Sequence, residues 1–298
     1  MARIKVLFPV GLLVIAGLVG QETRTPEPAS PPLATILTAA RDYCARLERA
    51  ALDFVCVEEV EERLDLSRDE RADLERAARA KSTDPQAWVA SPRYRFVAPR
   101  NPKLNNSYLF DYQFVRRDKK VEENRVLLEK NGRKAGPKTD APRLSAFNYA
   151  DILLMPVRLL DAKSQDFYSY KLQRQDRVAD LDAWVLEAVP RITGITRYLG
   201  GRIWLKQDDS SVLRIEWDPA TFDHYEAIVA RAASFKAEPE VRSATDFGFE
   251  KNGIRFPSSD LTEEAYRDAD GKLFVRARTE VTYKDYKFFV VETFSTIK

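Results

Sequence analysis

Residue types that commonly carry catalysis or hold metal ions are scarce in this chain. It has one histidine, His224, and two cysteines, Cys44 and Cys56, in 298 residues. A zinc site needs three or four nitrogen, sulfur or oxygen ligands, and these residues do not supply them. A serine hydrolase could use His224 as its base, but the serine motif G-x-S-x-G is absent. We therefore expect His224 to be a surface or boundary residue, and we expect no catalytic residue, metal or cofactor.

Phosphate-binding motifs and an excess of positive charge are also missing. Neither G-x-x-x-x-G-K-S/T nor G-x-G-x-x-G occurs in the sequence. The formal charge is +2, and it falls to zero when Arg3 and Lys5 are left out. A balanced chain has no basic excess for nucleic-acid binding, so we expect no nucleic-acid partner.

The acidic pairs Glu58–Glu59 and Glu61–Glu62 do not predict a glycosidase site. Neighbouring residues of a strand point to opposite faces, so two adjacent glutamates cannot both flank one glycosidic bond. We interpret them as part of a solvated strand face.

The first residues have the layout of an exported protein. Arg3 and Lys5 precede an apolar run that ends at Gly20, which is typical of a signal peptide over residues 1–20. Residues 21–32 contain four prolines and are predicted to form a linker. The location is then periplasmic or otherwise extracytoplasmic. The small-residue cleavage rule is met only loosely, so an uncleaved membrane anchor is the alternative. In an oxidising compartment, an isolated cysteine pair predicts a disulfide between Cys44 and Cys56.

The rest, residues 33–298, is predicted to be one mainly β domain of α+β type. Apolar residues at helical spacing predict a helix at 33–51, an interrupted helical segment at 145–162 and a helix at 221–235. A capping box at Ser67 predicts a charged helical insertion over 67–81, which we interpret as solvated. Alternating segments predict about ten or eleven antiparallel strands, with these two or three helices covering one face of the sheet.

A β-hairpin over residues 201–217 is central to this prediction. If Asp208–Ser211 is the loop, Trp204 pairs with Ile215 and Arg202 pairs with Trp217. That register places both tryptophans on one apolar face, whereas a shift of one residue would separate them. The turns Asn252–Gly253 and Asp270–Gly271 predict two more hairpins.

Apolar and aromatic residues of the strands have two interpretations. They fill a core beneath the helices, or they line a groove that the helices cover only in part and that accepts acyl chains. On the second interpretation, the candidate ligand-binding residues are Trp184, Trp204, Leu213, Ile215, Trp217, Phe249, Phe256 and Phe288.

The central hairpin also resembles a known family. Gly201-Arg202-Ile203-Trp204-Leu205, a polar turn and Val212-Leu213-Arg214-Ile215-Glu216 are similar to the hairpin of the LolA-like superfamily of outer-membrane lipoprotein-sorting proteins. The resemblance implies a strongly curved antiparallel half-barrel with helices over its concave face. It also implies a carrier or sensor of lipids or lipoproteins in the periplasm.

These observations predict a non-enzymatic periplasmic binding protein for an apolar ligand such as a lipid or a lipoprotein acyl chain. The alternative is a structural or interaction module of the bacterial envelope that uses the same fold without a ligand. Candidate partners are therefore a lipid, a lipoprotein or an envelope protein, and membrane contact is limited to the leader or to a peripheral surface.

Overall fold

The structure is a computed structural model. It describes residues 31–50, 54–69, 71–72, 102–117, 120–136, 151–192 and 198–289, together with Pro142, Leu144, Ala146, Phe147 and Tyr149. The predicted signal peptide, most of the predicted linker and most of the insertion predicted at 67–81 lie outside the described residues.

Thirteen strands are present in the described part of the chain. They are β1 (Phe54–Asp65), β2 (Lys103–Arg117), β3 (Lys120–Lys130), β4 (Arg133–Lys134), β5 (Tyr168–Val178), β6 (Leu181–Pro190), β7 (Gly201–Lys206), β8 (Val212–Trp217), β9 (Ala237–Asp246), β10 (Phe249–Lys251), β11 (Ile254–Phe256), β12 (Ser259–Asp268) and β13 (Leu273–Phe288).

Eleven of these strands form one open, curved antiparallel sheet in the order β4-β3-β2-β1-β13-β12-β9-β8-β7-β6-β5, and β10 pairs with β11 alone. The predicted fold class is therefore confirmed.

Three helices cover the concave face of this sheet, which we call the inner face. They are α1 (Leu33–Ala50), α2 (Met155–Leu160) and α3 (Tyr225–Phe235). The apolar stripe of α1, including Ile36, Tyr43 and Leu47, is buried in the main core. Pro156 lies in the first turn of α2, where a proline removes no helical hydrogen bond. None of the described helices is long and apolar enough to cross a bilayer.

Cross-strand pairing shows which residues share the inner face, because paired residues of a sheet point to the same side. One row crosses nine strands and consists of Tyr108, Val60, Val281, Asp260, Thr245, Ile215, Ile203, Leu186 and Leu172. Seven members of this row are apolar or aromatic. Asp260 and Thr245, at its middle, are polar.

The register predicted for the central hairpin is wrong by one residue. Trp204 pairs with Arg214, and Trp217 pairs with Gly201. The backbone N–H of Lys206 donates to the carbonyl of Ser211 at 2.9 Å, so the four-residue loop begins one residue earlier than predicted. A bulge after Trp204 then shifts the pairing again. As a result Trp217 lies on the inner face and Trp204 on the outer face.

The predicted disulfide is also wrong, because both cysteines are free and buried. The thiol of Cys44 donates to the carbonyl oxygen of Pro156 at 3.4 Å, so it joins α1 to α2. Burial raises the pKa of Cys56 to about 12 and raises the pKa of Cys44 further. Both groups are therefore neutral thiols at physiological pH.

The start of the insertion is docked on the protein and is not solvated as predicted. Asp69 accepts hydrogen bonds from the guanidinium of Arg276, the shortest at 3.0 Å. The guanidinium of Arg68 lies 4.5 Å from the centre of the Phe274 ring, and Ala72 is buried. Residues 73–81 lie outside the described part of the chain.

Candidate functional site

The inner face contains a cavity of about 350 Å³. It lies between the middle of the sheet and two covering segments. One contains Phe147, Tyr149, Ile152 and Met155, and the other is residues 222–224. The floor consists of four polar residues of β9 and β12, namely Ser243, Thr245, Asp260 and Thr262. The walls are Phe147, Tyr149, Ile152, Met155, Leu199, Trp217 and Phe222, and the rim carries Asp223 and His224.

Strand pairing positions the polar floor. Thr245 pairs with Asp260, and Ser243 pairs with Thr262, two residues further along both strands. Because side chains alternate along a strand, all four point to the inner face. The hydroxyls of Ser243 and Thr262 are 3.0 Å apart and share a hydrogen bond.

A hydrogen-bond chain holds the second half of the floor. The indole Nε1–H of Trp217 donates to Thr245 Oγ1 at 3.1 Å, and the Thr245 hydroxyl donates to Asp260 Oδ1 at 2.5 Å. The second carboxylate oxygen, Oδ2, has no hydrogen-bond partner among the described residues. Asp260 therefore keeps one oxygen available to a molecule in the cavity, although the residue is only 8% exposed.

Negative charge dominates the electrostatics of the cavity. Neither lysine nor arginine occurs among the described residues that line it. Burial raises the pKa of Asp260 to about 6, against the opposing hydrogen bond from Thr245, and the charges of Asp246 and Glu58 add to the rise. With this pKa most Asp260 side chains are ionised at neutral pH, and no basic side chain among the described residues is hydrogen-bonded to it.

A second buried carboxylate, Glu58, is fully paired. The Arg125 guanidinium donates to both of its oxygens, at 2.8 and 3.3 Å. The same guanidinium lies 4.9 Å from the centre of the Tyr112 ring and 4.8 Å from that of Tyr149. Tyr149 also lines the cavity, so this pair helps to hold the covering segment in place.

Glu62 is likewise buried and anchors the same segment. It accepts hydrogen bonds from the Asn106 amide at 3.0 Å and from the Ala146 backbone N–H at 2.7 Å. The prediction that this run of glutamates forms a solvated face is therefore wrong for Glu58 and Glu62, which have no exposed surface. The period-two spacing of Glu58, Val60 and Glu62 on one face was the signal that could have revealed them.

The eight candidate ligand residues occupy three places. Trp217 lines the cavity, and Ile215 and Trp184 lie with it in the main core. Trp204 and Leu213 form a separate cluster on the outer face. Phe249 of β10, Phe256 of β11 and Phe288 of β13 form an aromatic cluster with Tyr286, which Phe256 joins to the main core. Their roles as ligand contacts remain predictions.

His224 sits at the rim of the cavity, immediately before α3. Its ring lies 5.8 Å from the ring of Phe147 and 5.9 Å from that of Phe222. It makes no hydrogen bond to a serine or a carboxylate within the described part of the chain. The described residues also include no group of three or more His, Cys, Asp or Glu that could hold a metal. The arrangement is that of a cavity with apolar and aromatic walls and a polar floor.

Comparison with known proteins finds similarity only among solved structures. No protein-family model matches the chain, and no curated protein matches it.

Three solved structures illustrate the similarity. A DUF1329 family protein from Desulfovibrio piger is 13% identical, with a TM-score of 0.40 over 86% of this chain and 95% of that one. A LolA superfamily protein from Nitrosomonas europaea is 12% identical, with a TM-score of 0.34 over 88% and 96%. A putative outer membrane lipoprotein-sorting protein domain from Vibrio parahaemolyticus is 10% identical, with a TM-score of 0.34 over 86% and 93%.

The last two descriptions name the superfamily that the central hairpin resembles.

Proposed function

We propose that this protein is a non-enzymatic binding protein that holds the apolar part of a lipid, or a lipoprotein acyl chain, in the inner-face cavity. The observation that carries the proposal is the cavity itself, with apolar and aromatic walls over a polar floor. Ligand sites are commonly concave and mostly apolar, with a few polar groups that fix orientation. The proposal places the protein in the periplasm or another extracytoplasmic compartment, on the strength of the leader sequence.

The size of the cavity limits the ligand. Its volume of about 350 Å³ is near the lower end of the range for ligand sites, roughly 300–1,000 Å³. One acyl chain, or the end of one, is therefore a better fit than a complete lipid anchor with several chains.

The first test is native mass spectrometry of the exported protein, purified without detergent, followed by titration with dodecanol. We expect a lipid that denaturation releases, or a saturable dodecanol site that quenches or shifts the fluorescence of Trp217. A bare chain that binds neither would overturn the proposal.

A cavity-filling variant makes the test specific. Met155→Trp adds volume to the wall, so we expect dodecanol affinity to fall about tenfold, equivalent to about 1.4 kcal/mol. Val126→Trp adds the same side chain at an exposed position outside the cavity and serves as the matched control, with affinity kept within about twofold. Equal affinities in both variants would show that the probe binds elsewhere.

An interaction module is the second candidate, and one observation favours it. Phe249 is 37% exposed and stacks on Tyr286, with ring centres 4.8 Å apart. An exposed aromatic surface of this kind can contact a protein partner. A Phe249→Ser variant that loses an envelope partner in cross-linking, while keeping dodecanol affinity, would support this candidate.

A further inference from the structure

The cavity is lined by acidic side chains without lysine or arginine among the described residues. Asp260 lies in the floor and Asp223 at the rim. Two arginines of the sheet are paired with acids outside this lining. Arg125 is bound to Glu58, and Arg214 is bound to Asp246 at 3.1 Å.

Asp260 is the group that a ligand would meet at the bottom of the cavity. Its neighbours are Thr245 from β9, Val281 from β13 and, through Thr245, the indole of Trp217 from β8. One of its oxygens accepts from Thr245, and the other is open. A buried carboxylate without a counter-ion attracts a cation strongly, because the local dielectric constant is low.

The walls above this carboxylate favour the same kind of ligand. Phe147, Tyr149, Trp217 and Phe222 place four aromatic rings around the cavity. The faces of aromatic rings attract ammonium groups, and their apolar surface accepts methylene groups. A ligand that ends in a carboxylate or a phosphate would meet repulsion from Asp260 and find no lysine or arginine in compensation.

We infer that the cavity selects amphipathic ligands whose polar end is an ammonium group, seated on Asp260, and discriminates against ligands that end in an anion. This inference rests on the proposed function, since it requires that an apolar chain enters the cavity. It adds the chemical class of the polar end, which the proposed function leaves open.

Three probes with the same chain length test separately whether an apolar chain binds and whether an ammonium end is preferred. Dodecylamine, dodecanol and dodecanoate are titrated, each below its micelle concentration, into the exported protein at pH 7.5. We expect dodecylamine to bind about tenfold tighter than dodecanol, and dodecanoate to bind most weakly. In Asp260→Asn, the ratio of dodecylamine to dodecanol affinity should fall about tenfold. Asp180→Asn removes an exposed acid in the β5–β6 turn and should leave that ratio unchanged.

The outcomes are distinct. If no probe binds the parent protein, the proposed function fails and the inference fails with it. If dodecanol binds but dodecanoate binds as tightly as dodecylamine, only the inference fails. The same holds if Asp260→Asn keeps the parent ratio while circular dichroism shows that the variant is folded.

Discussion

Two buried carboxylates on the inner face, Glu58 and Asp260, have opposite surroundings. Glu58 on β1 receives a guanidinium on both oxygens, and aromatic rings pack against that guanidinium. Asp260 on β12 receives one hydroxyl and faces a cavity. The difference shows where the inner face is closed and where it is open to a ligand.

The closed region around Glu58 contributes to the stability of the fold, and the open region around Asp260 does not. A buried ion pair with satisfied oxygens tolerates the loss of water, whereas an unpaired buried charge costs free energy of folding. Sites that are unfavourable for stability are often the functional ones, since a ligand supplies the missing partner. The Asp260 region, and not the Glu58 region, is therefore the candidate site.

The largest expected effect on stability comes from removing the ion pair between Arg125 and Glu58 in the closed region. Arg125→Met leaves Glu58 buried and unpaired, so the free energy of unfolding should fall by about 3–5 kcal/mol. Urea denaturation at pH 7.5 measures it. The double variant Glu58→Leu/Arg125→Met removes both charges and should recover most of the loss. A single variant as stable as the parent would mean that water reaches Glu58.

A smaller effect of opposite sign is expected in the open region. Burial raises the pKa of Asp260 to about 6 from its ordinary 3.8, so the folded state binds the proton more tightly than the unfolded state. Asp260 therefore lowers stability as pH rises from about 4 to about 6, and the cost stays constant above that, at about 3 kcal/mol. Asp260→Asn removes this dependence.

Urea denaturation of parent and variant at pH 4 and pH 7.5 checks this prediction. Relative to the parent, Asp260→Asn should be more stable at pH 7.5 than at pH 4, by up to about 3 kcal/mol. The same stability difference at both values would show that Asp260 is solvated.

The smallest change to the protein is a single thiol on the cavity floor. Its reaction with a maleimide measures directly whether a reagent can enter the cavity. Cys44 and Cys56 are buried in the filled core and their pKa values are raised by burial, so they should react with a maleimide only in denaturant. Thr262→Cys places a thiol on the cavity floor, where it should react in the native protein and be protected by dodecylamine. Rapid native labelling of the parent would contradict the contrast between filled and open regions.

Local sequence signals predicted some strand pairs and missed others. Asn252–Gly253 predicts Phe249 opposite Phe256 and Glu250 opposite Arg255, and both pairs are present. Asparagine and glycine supply the positive φ angles of a two-residue turn, 53° and 72° here, so the register follows from the turn itself. Asp270–Gly271 predicts Tyr266 opposite Val275, which is wrong, since Tyr266 pairs with Phe274. The backbone N–H of Asp268 donates to the carbonyl of Lys272, so the loop has three residues and not two.

The sequence by itself determined the β-rich class, the antiparallel pairing and the amphipathic helices, because these depend on periodicity and on turn residues close together in the chain. Only the tertiary structure decided which polar residues are inside. Asp260 and Thr245 look like ordinary strand polar residues until segments far away in sequence cover them. The cavity exists because those segments cover part of the sheet and leave the floor of β9 and β12 open, and packing of that kind has no local signal.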